Sequence, residues 1–325
     1  MNIKTLVWLS LSIVMTTQLF AQSELIIAHR GASGQLPEHT LPAKAMAYAL
    51  GADYLEQDVV LTKDNRAIVA HDIHLDEITD VAEQFPTRKR DDGRFYAIDF
   101  TLDEIKQLRV SERFDRKTGK RVFPKRFPAG KSRFSISTLE EEIELIQGLN
   151  HSTGKRIGIY PEIKAPKFHH QHQKDISRIV IKILDSYGYR TKDDLVYLQC
   201  FDAHECRRIR TELKCNLKIV ELISADDWDK SKSAERLDEI SKYADGIGPP
   251  LSLVYHSTDS SPVATDLVGL AHERKLFVHA YTLRSDSLPA DFKTFEQLVR
   301  FIFRDVGVDG AFTDFTGETR SILRE

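Results

Sequence analysis

Short apolar runs rich in β-branched residues recur along this chain, and longer stretches of helical period separate them. Leu25–Ala28, Tyr54–Val60, Ile68–Ala70, Gly158–Ile163, Leu195–Gln199, Leu217–Ile223, Gly246–Gly248, Phe277–Thr282 and Gly310–Thr313 read as strands. This alternation is the pattern of βα units built on a parallel sheet. Nine runs are one too many for an eight-stranded barrel. Between Val60 and Ile68, however, lies only Leu-Thr-Lys-Asp-Asn-Arg-Ala, too short for the dozen-residue crossover that joins parallel neighbours. Ile68–Ala70 is therefore predicted as the return arm of a hairpin turned by Thr62-Lys63-Asp64-Asn65. The remaining eight runs predict an α/β fold, a TIM (βα)8 barrel with a β-hairpin after strand 2.

The chain has 325 residues, of which 41% are hydrophobic, enough for a full core in one large domain or two ordinary ones. Met1–Lys4 carries one cation, Thr5 to Phe20 is mostly apolar, and Ala21 closes the run with a small residue. Residues 1–21 thus read as a cleavable signal peptide, residues 22–325 as the working domain, and the periplasm as its destination. The apolar run falls short of the ~20 residues a bilayer requires, so no stable membrane insertion is expected after cleavage. Lys and Arg number 46 against 49 Asp and Glu, a net charge of −3, which argues against a nucleic-acid partner. Cys200, Cys206 and Cys215 are too few for a disulfide framework; a Cys206–Cys215 bridge stays open. Residues from about 85 to 133 break the βα rhythm with the run Arg88-Lys89-Arg90-Asp91-Asp92 and several Gly and Pro. They read as a long inserted segment over the active-site mouth that buries little apolar surface. Ser137-Thr138 followed by Glu140, Glu141 and Glu142 then opens a helix with acids in its first turn.

Active sites of such barrels gather at the carboxyl ends of the strands, and several strand ends here are loaded with charge. The first strand runs into His29-Arg30-Gly31. The second contains Glu56 and Asp58, two residues apart and so on one face. An enclosed carboxylate pair needs a counter-ion. The hairpin returns to His71-Asp72, and the next strand ends Glu162-Ile163-Lys164. Glu56, Asp58 and Glu162 together offer hard oxygen ligands without a thiolate, which suits Ca²⁺ or Mg²⁺ better than Zn²⁺. His29 and His71 could instead be zinc ligands, but each stands beside a charged partner rather than another ligand at metal spacing. The set of two His, one Arg, one Lys and three acids fits phosphate-ester chemistry: a cation with Arg30 and Lys164 neutralises the phosphate, and two imidazoles move protons.

The motifs His29-Arg30-Gly31-Ala32-Ser33 with Pro37-Glu38, Leu55-Glu56-Gln57-Asp58, Thr62-Lys63-Asp64 and His71-Asp72 strongly resemble the glycerophosphodiester phosphodiesterase family. So do Ser137-Thr138-Leu139-Glu140-Glu141, Pro161-Glu162-Ile163-Lys164, Gln199-Cys200-Phe201-Asp202 and Thr313-Asp314-Phe315, and the long insertion is similar to that of the periplasmic, GlpQ-type branch. The resemblance implies hydrolysis of glycerophosphodiesters, such as glycerophosphocholine and glycerophosphoethanolamine, to sn-glycerol 3-phosphate and an alcohol. It implies His29 and His71 as the acid–base pair, Glu56, Asp58 and Glu162 as ligands of one divalent cation, Ca²⁺ before Mg²⁺, and Arg30 and Lys164 on the phosphate. A first attack by the substrate's own glycerol hydroxyl, through a cyclic phosphate, stays open.

The chain departs from the family pattern at His39, where Asn is usual, and at Thr316, where Pro is usual; both are expected to affect loop geometry only. His169-His170-Gln171-His172 reads as a loop at the active-site rim rather than a metal site, and Phe168 and Tyr281 as pocket lining or packing. A barrel acting on intact lipid is the alternative enzyme, disfavoured by the lack of a membrane-docking stretch. A binding protein is the alternative outside enzymes, disfavoured by retention of every acid and both His. The partner expected is a small molecule; headgroup preference and a homodimer are left open.

Overall fold

Leu25–Ala28 has no polar side chain, and in the computed structural model, which describes residues 24–258 and 261–325, it is strand β1, enclosed between two parallel neighbours. Further strands are β2 (Tyr54–Leu61), β3 (Ala67–Val69), β4 (Gly158–Ile163), β5 (Tyr197–Cys200) and β6 (Lys218–Leu222). They are followed by β7 (Gly246–Gly248), β8 (Tyr255–Thr258), β9 (Ser261–Ala264), β10 (Phe277–Leu283) and β11 (Gly310–Thr313). The parallel strands follow the order β1, β11, β10, β7, β6, β5, β4, β2, and β1 pairs again with β2 through Ile27 opposite Tyr54 and Ala28 opposite Leu55. The sheet is therefore the closed eight-stranded barrel predicted. Strand β3 pairs antiparallel with the far end of β2, Val60 opposite Ile68, as the short turn requires.

One hairpin lies outside the sequence reading. Strands β8 and β9 pair antiparallel, Tyr255 opposite Ala264, on a largely exposed surface. Only Tyr255 of β8 is buried, so the pair carries no apolar alternation by which a strand is read.

The amino end of the barrel is plugged. Tyr54, Tyr160, Tyr197, Val220, Ile27 and Phe312 form a buried interior cluster, with the Tyr160 and Tyr197 rings stacked at 5.0 Å. Glycine makes the space for it: a Cβ on Gly158 would stand 2.2 Å from the Tyr54 ring. With that end filled, the open end is the carboxyl end of the strands. Between the barrel and its helices lies the main core, including Leu55, Val59, Ile159, Ile163, Leu198 and Ile219.

The inserted segment corrects one expectation. Phe95, Phe100, Ile105, Leu108, Val110 and Phe134 converge with Val60 and Ile68 into a second buried cluster, so it buries substantial apolar surface. Its apolar residues follow no period because its helical turns are short, Ala97–Asp99 and Leu102–Ile105. The helix Leu139–Thr153 begins where expected, with the Thr138 hydroxyl accepting from the Glu141 amide and the Glu141 carboxylate accepting in return. All three cysteines are buried and free. Among the described residues no helix is long and apolar enough to cross a membrane. The signal peptide expected over residues 1–21 lies outside the described residues.

Candidate active site

Chain geometry at the end of β1 throws two side chains into the barrel mouth. Gly31 takes φ +85°, and a Cβ there would approach the Ala43 backbone to 2.8 Å. Arg30 itself adopts φ +60°, a left-handed conformation that costs an L-residue about 1 kcal/mol, and its amide donates to Glu56 Oε2 at 2.9 Å. Glu56 and Asp58 project from one face of β2, and Asp58 sits in register with Glu162 on β4. His71 follows the return arm β3, and Lys164 follows β4. His29, Arg30, Glu56, Asp58, His71, Glu162 and Lys164 all line one cavity of about 200 Å³, joined by Gln199, Tyr281 and Arg284.

Oxygens of Glu56, Asp58 and Glu162 all lie within 4.8 Å of one another, and Asp58 Oδ1 is buried without a hydrogen-bond partner. Burial, then repulsion from Asp58, raises Glu56 to about 8 despite Arg30 and Lys44. Glu162 is driven well above the usual carboxylate range by burial, which Lys164 only partly offsets. At Asp58 burial acts upward too, but Lys164 and His39 outweigh it and hold the group well below that range. Lys164 Nζ stands 2.8 Å from Glu162 Oε1 and 3.8 Å from Asp58 Oδ1. Lys164 and Arg30, whose Nε stands 3.5 Å from Asp58 Oδ2, are two cations against three enclosed carboxylates, and the unpartnered Asp58 oxygen among them fits a hard divalent cation.

A second acidic group, His170, Asp175 and Glu205, is equally close-set, but its charge is already met. Arg208 donates to Glu205 at 2.6 Å and also to Asp175, and Ser177 donates to Glu205.

Each candidate imidazole is held through Nδ1. His29 Nδ1 lies 2.5 Å from Asp314 Oδ1, and His71 Nδ1 lies 2.9 Å from Asp72 Oδ1. This fixes the tautomer and leaves Nε2 for chemistry. Burial and Arg30 bring His29 down to about 4 against the pull of Asp314, and burial, Arg30 and Lys164 lower His71. Asp314 stays ionised, because His29, Arg284 and Arg126 together overcome its burial.

His39 corrects the expectation that it affects loop geometry only. Its Nε2 lies 2.7 Å from Asp58 Oδ2, and Lys44 Nζ lies 3.2 Å from its Nδ1. A lysine ammonium has no acceptor, so Nδ1 accepts and Nε2–H donates to the carboxylate. Lys44 is fully buried, donates to the Glu56 carbonyl oxygen and pairs with Glu142 at 3.1 Å. The His169–His172 stretch is also not a loop: Pro166–Gln171 is a short helix. Phe168 stacks on Tyr96 at 5.6 Å, whereas Tyr281 lines the cavity and donates its hydroxyl to the Ile223 carbonyl oxygen.

Sequence reasoning assigned no role to Asp314, Asp72, Gln199, Arg113 or Arg126. Gln199 donates to Glu56 Oε1 at 3.0 Å. Arg113 and Arg126, from the inserted segment, bond Asp72 and Asp314. The motifs held Asp72, Gln199 and Asp314; nothing in the sequence distinguishes the two arginines from solvated surface cations.

The family model for the glycerophosphoryl diester phosphodiesterase family matches residues 29–318. The chain belongs to this family. Relatives in it include the glycerophosphodiester phosphodiesterases of Haemophilus influenzae, 47% identical over 93% of this chain and 90% of that protein, and Treponema pallidum, 40% identical over 91% and 90%. Among solved structures the fold is similar to an Oleispira antarctica phosphodiesterase in complex with the product sn-glycerol-3-phosphate. That match has a TM-score of 0.63 and 20% identity over 93% of this chain and 98% of that one. The family's Agrobacterium tumefaciens glycerophosphodiester phosphodiesterase superposes with a TM-score of 0.59 at 18% identity, over 92% and 99%.

Proposed function

We propose that this chain hydrolyses glycerophosphodiesters to sn-glycerol 3-phosphate and an alcohol, with His29 and His71 as the proton-transfer pair. The observation that carries this reading is one cavity lined by two Asp-held imidazoles, three clustered carboxylates and two cations. The Oleispira antarctica phosphodiesterase, solved with sn-glycerol-3-phosphate, supports the same product class.

Arg30 and Lys164 bind the nonbridging oxygens of the diester. The attacking hydroxyl gives its proton to Nε2 of one imidazole as its oxygen bonds phosphorus. The bond from phosphorus to the alcohol oxygen breaks, and that oxygen takes a proton from the other imidazole. Burial holds both imidazoles neutral, so each can serve as the base. The acid is whichever gains its proton when the anionic diester enters. Asp314 and Asp72, ionised, stabilise the imidazolium forms. Glu56, Asp58 and Glu162 would hold a divalent cation, Ca²⁺ or Mg²⁺, which when bound supplies further neutralisation of phosphate charge. The apolar Thr5–Phe20 run ending at Ala21 supports a periplasmic location.

The test is release of sn-glycerol 3-phosphate from glycerophosphocholine, followed with a coupled dehydrogenase before and after chelation. Turnover abolished by EDTA and restored by Ca²⁺ or Mg²⁺ is expected. Turnover unchanged by EDTA contradicts the metal assignment, and no turnover with any divalent ion favours the binding protein. His29→Ala and His71→Ala are each expected to lose at least ~10²-fold in rate.

A further inference from the structure

Both candidate imidazoles are held by the same three-part device, and its outer member comes each time from the inserted segment. His29 Nδ1 bonds Asp314 Oδ1, and Asp314 Oδ2 accepts from Arg126 Nη2 at 2.6 Å. His71 Nδ1 bonds Asp72 Oδ1, and Asp72 Oδ2 accepts from Arg113 Nη1 at 2.6 Å. A carboxylate bonded at one oxygen can still swing about its side-chain torsion. Bonded at both, it holds the plane and height of the imidazole beyond it.

The guanidinium groups are themselves fixed. Arg126 is 8% exposed; its Nε donates to Asp286 at 2.9 Å and its Nη1 to the Ser33 carbonyl oxygen at 3.3 Å. Arg113 donates to Glu38 at 2.8 Å and to Glu77 at 3.1 Å. Surface ion pairs contribute little, but both guanidinium groups are largely buried, at 13% and 5% side-chain exposure, branch to several acceptors and end on the carboxylates that hold the imidazoles.

We propose that Arg113 and Arg126 are positioning residues of the hydrolysis, and that the inserted segment serves to hold both imidazoles in register through Asp72 and Asp314. The two arms are not equally secured. Asp314 Oδ2 accepts also from Arg284 Nε at 2.8 Å, whereas among the described residues Asp72 is bonded by Arg113 and by no second arginine. Loss of Arg113 therefore costs more than loss of Arg126. Arg113 also clamps Glu38, which accepts from Arg30 at 3.1 Å, so its removal reaches the phosphate-binding side as well.

This inference rests on the proposed hydrolysis, and the experiment separates the two. Glycerophosphocholine turnover is measured for the full chain, Arg113→Ala, Arg126→Ala, Asp72→Asn, Asp314→Asn and the two double variants Arg113→Ala/Asp72→Asn and Arg126→Ala/Asp314→Asn. Expected are falls in kcat of about 10²-fold for Arg113→Ala and about 10-fold for Arg126→Ala, the scale of losing a partner that orients a working side chain. KM should stay within about threefold for Arg126→Ala, and each double variant should be scarcely slower than its Asp→Asn parent, since the arginine acts through that carboxylate. Effects on kcat that multiply in the double variants, or wild-type kcat in both arginine variants, overturn the proposal while leaving the hydrolysis standing; no turnover by the unaltered chain overturns the hydrolysis itself. Arg113→Lys and Arg126→Lys keep the charge without the planar fork and carry the test if an alanine variant does not fold. Reduced kcat in the lysine variants supports the proposal and unchanged kcat overturns it.

Discussion

Asp314 and His29 stand 285 residues apart in the chain, yet Oδ1 of one lies 2.5 Å from Nδ1 of the other. The pairing of β1 with β11, Ala28 opposite Thr313, makes this contact, since each strand delivers its next residue to the same point of the barrel mouth. Replacing Asp314 by Asn keeps the shape but allows the wrong tautomer and removes the charge that stabilises a protonated imidazole. Asp314→Asn should lower kcat by ~10²-fold or more with KM little changed. Steady-state kinetics on glycerophosphocholine checks this; a fall below about threefold would mean that Asp314 does not orient His29.

The barrel, and the gathering of His29, Arg30, Glu56, Asp58, His71, Glu162 and Lys164 around one cavity, are legible because each rests on a local signal: apolar runs of strand length, and charged residues where those runs end. Glu56 and Asp58 were readable as a pair from the two-residue period of a strand alone. What was illegible depends on contacts across the chain. Arg113 and Arg126 lie in a charge-dense stretch where most cations face water, and only the folded segment brings them onto Asp72 and Asp314. In the sequence His39 reads as a departure confined to a loop, because no period connects it to Asp58. Its role appears only where the turn after β1, with His39 at φ +59°, folds back beneath β2.

That contact yields a prediction. His39 donates to a carboxylate of the proposed cation site and is fixed from behind by Lys44. His39→Ala should weaken divalent-ion affinity by ~10–100-fold, as loss of a ligand's outer partner does. Calorimetric titration with Ca²⁺ measures it, and unchanged affinity would show that Asp58 needs no such support.

Lys44 is buried completely beside a buried Glu142. Removing one member of such a pair strands the other, at ~3–5 kcal/mol. Lys44→Met should therefore lower stability by that amount in urea unfolding, although the substitution adds apolar volume. A loss below about 1 kcal/mol would contradict the pairing.

The three carboxylates also predict how cation affinity depends on pH. Glu56 is raised to about 8 by burial and Asp58, and burial raises Glu162 well above its ordinary range, so at pH 7 the cluster without a cation holds protons that a cation must displace. Affinity should then fall as pH drops below about 8, by about tenfold per unit for each proton displaced. Titrations in buffers of different ionisation enthalpy should show proton release. Identical heats and a flat dissociation constant from pH 6 to 8.5 would contradict this.

The most direct measurement is an anomalous difference map from crystals grown with Mn²⁺ and sn-glycerol 3-phosphate. One dominant peak is expected within about 2.0–2.6 Å of oxygens from Glu56, Asp58 and Glu162, with the phosphate against Arg30 and Lys164 and both imidazoles facing it. A peak at His170, Asp175 and Glu205 instead, or a phosphate bound away from His29 and His71, would contradict it.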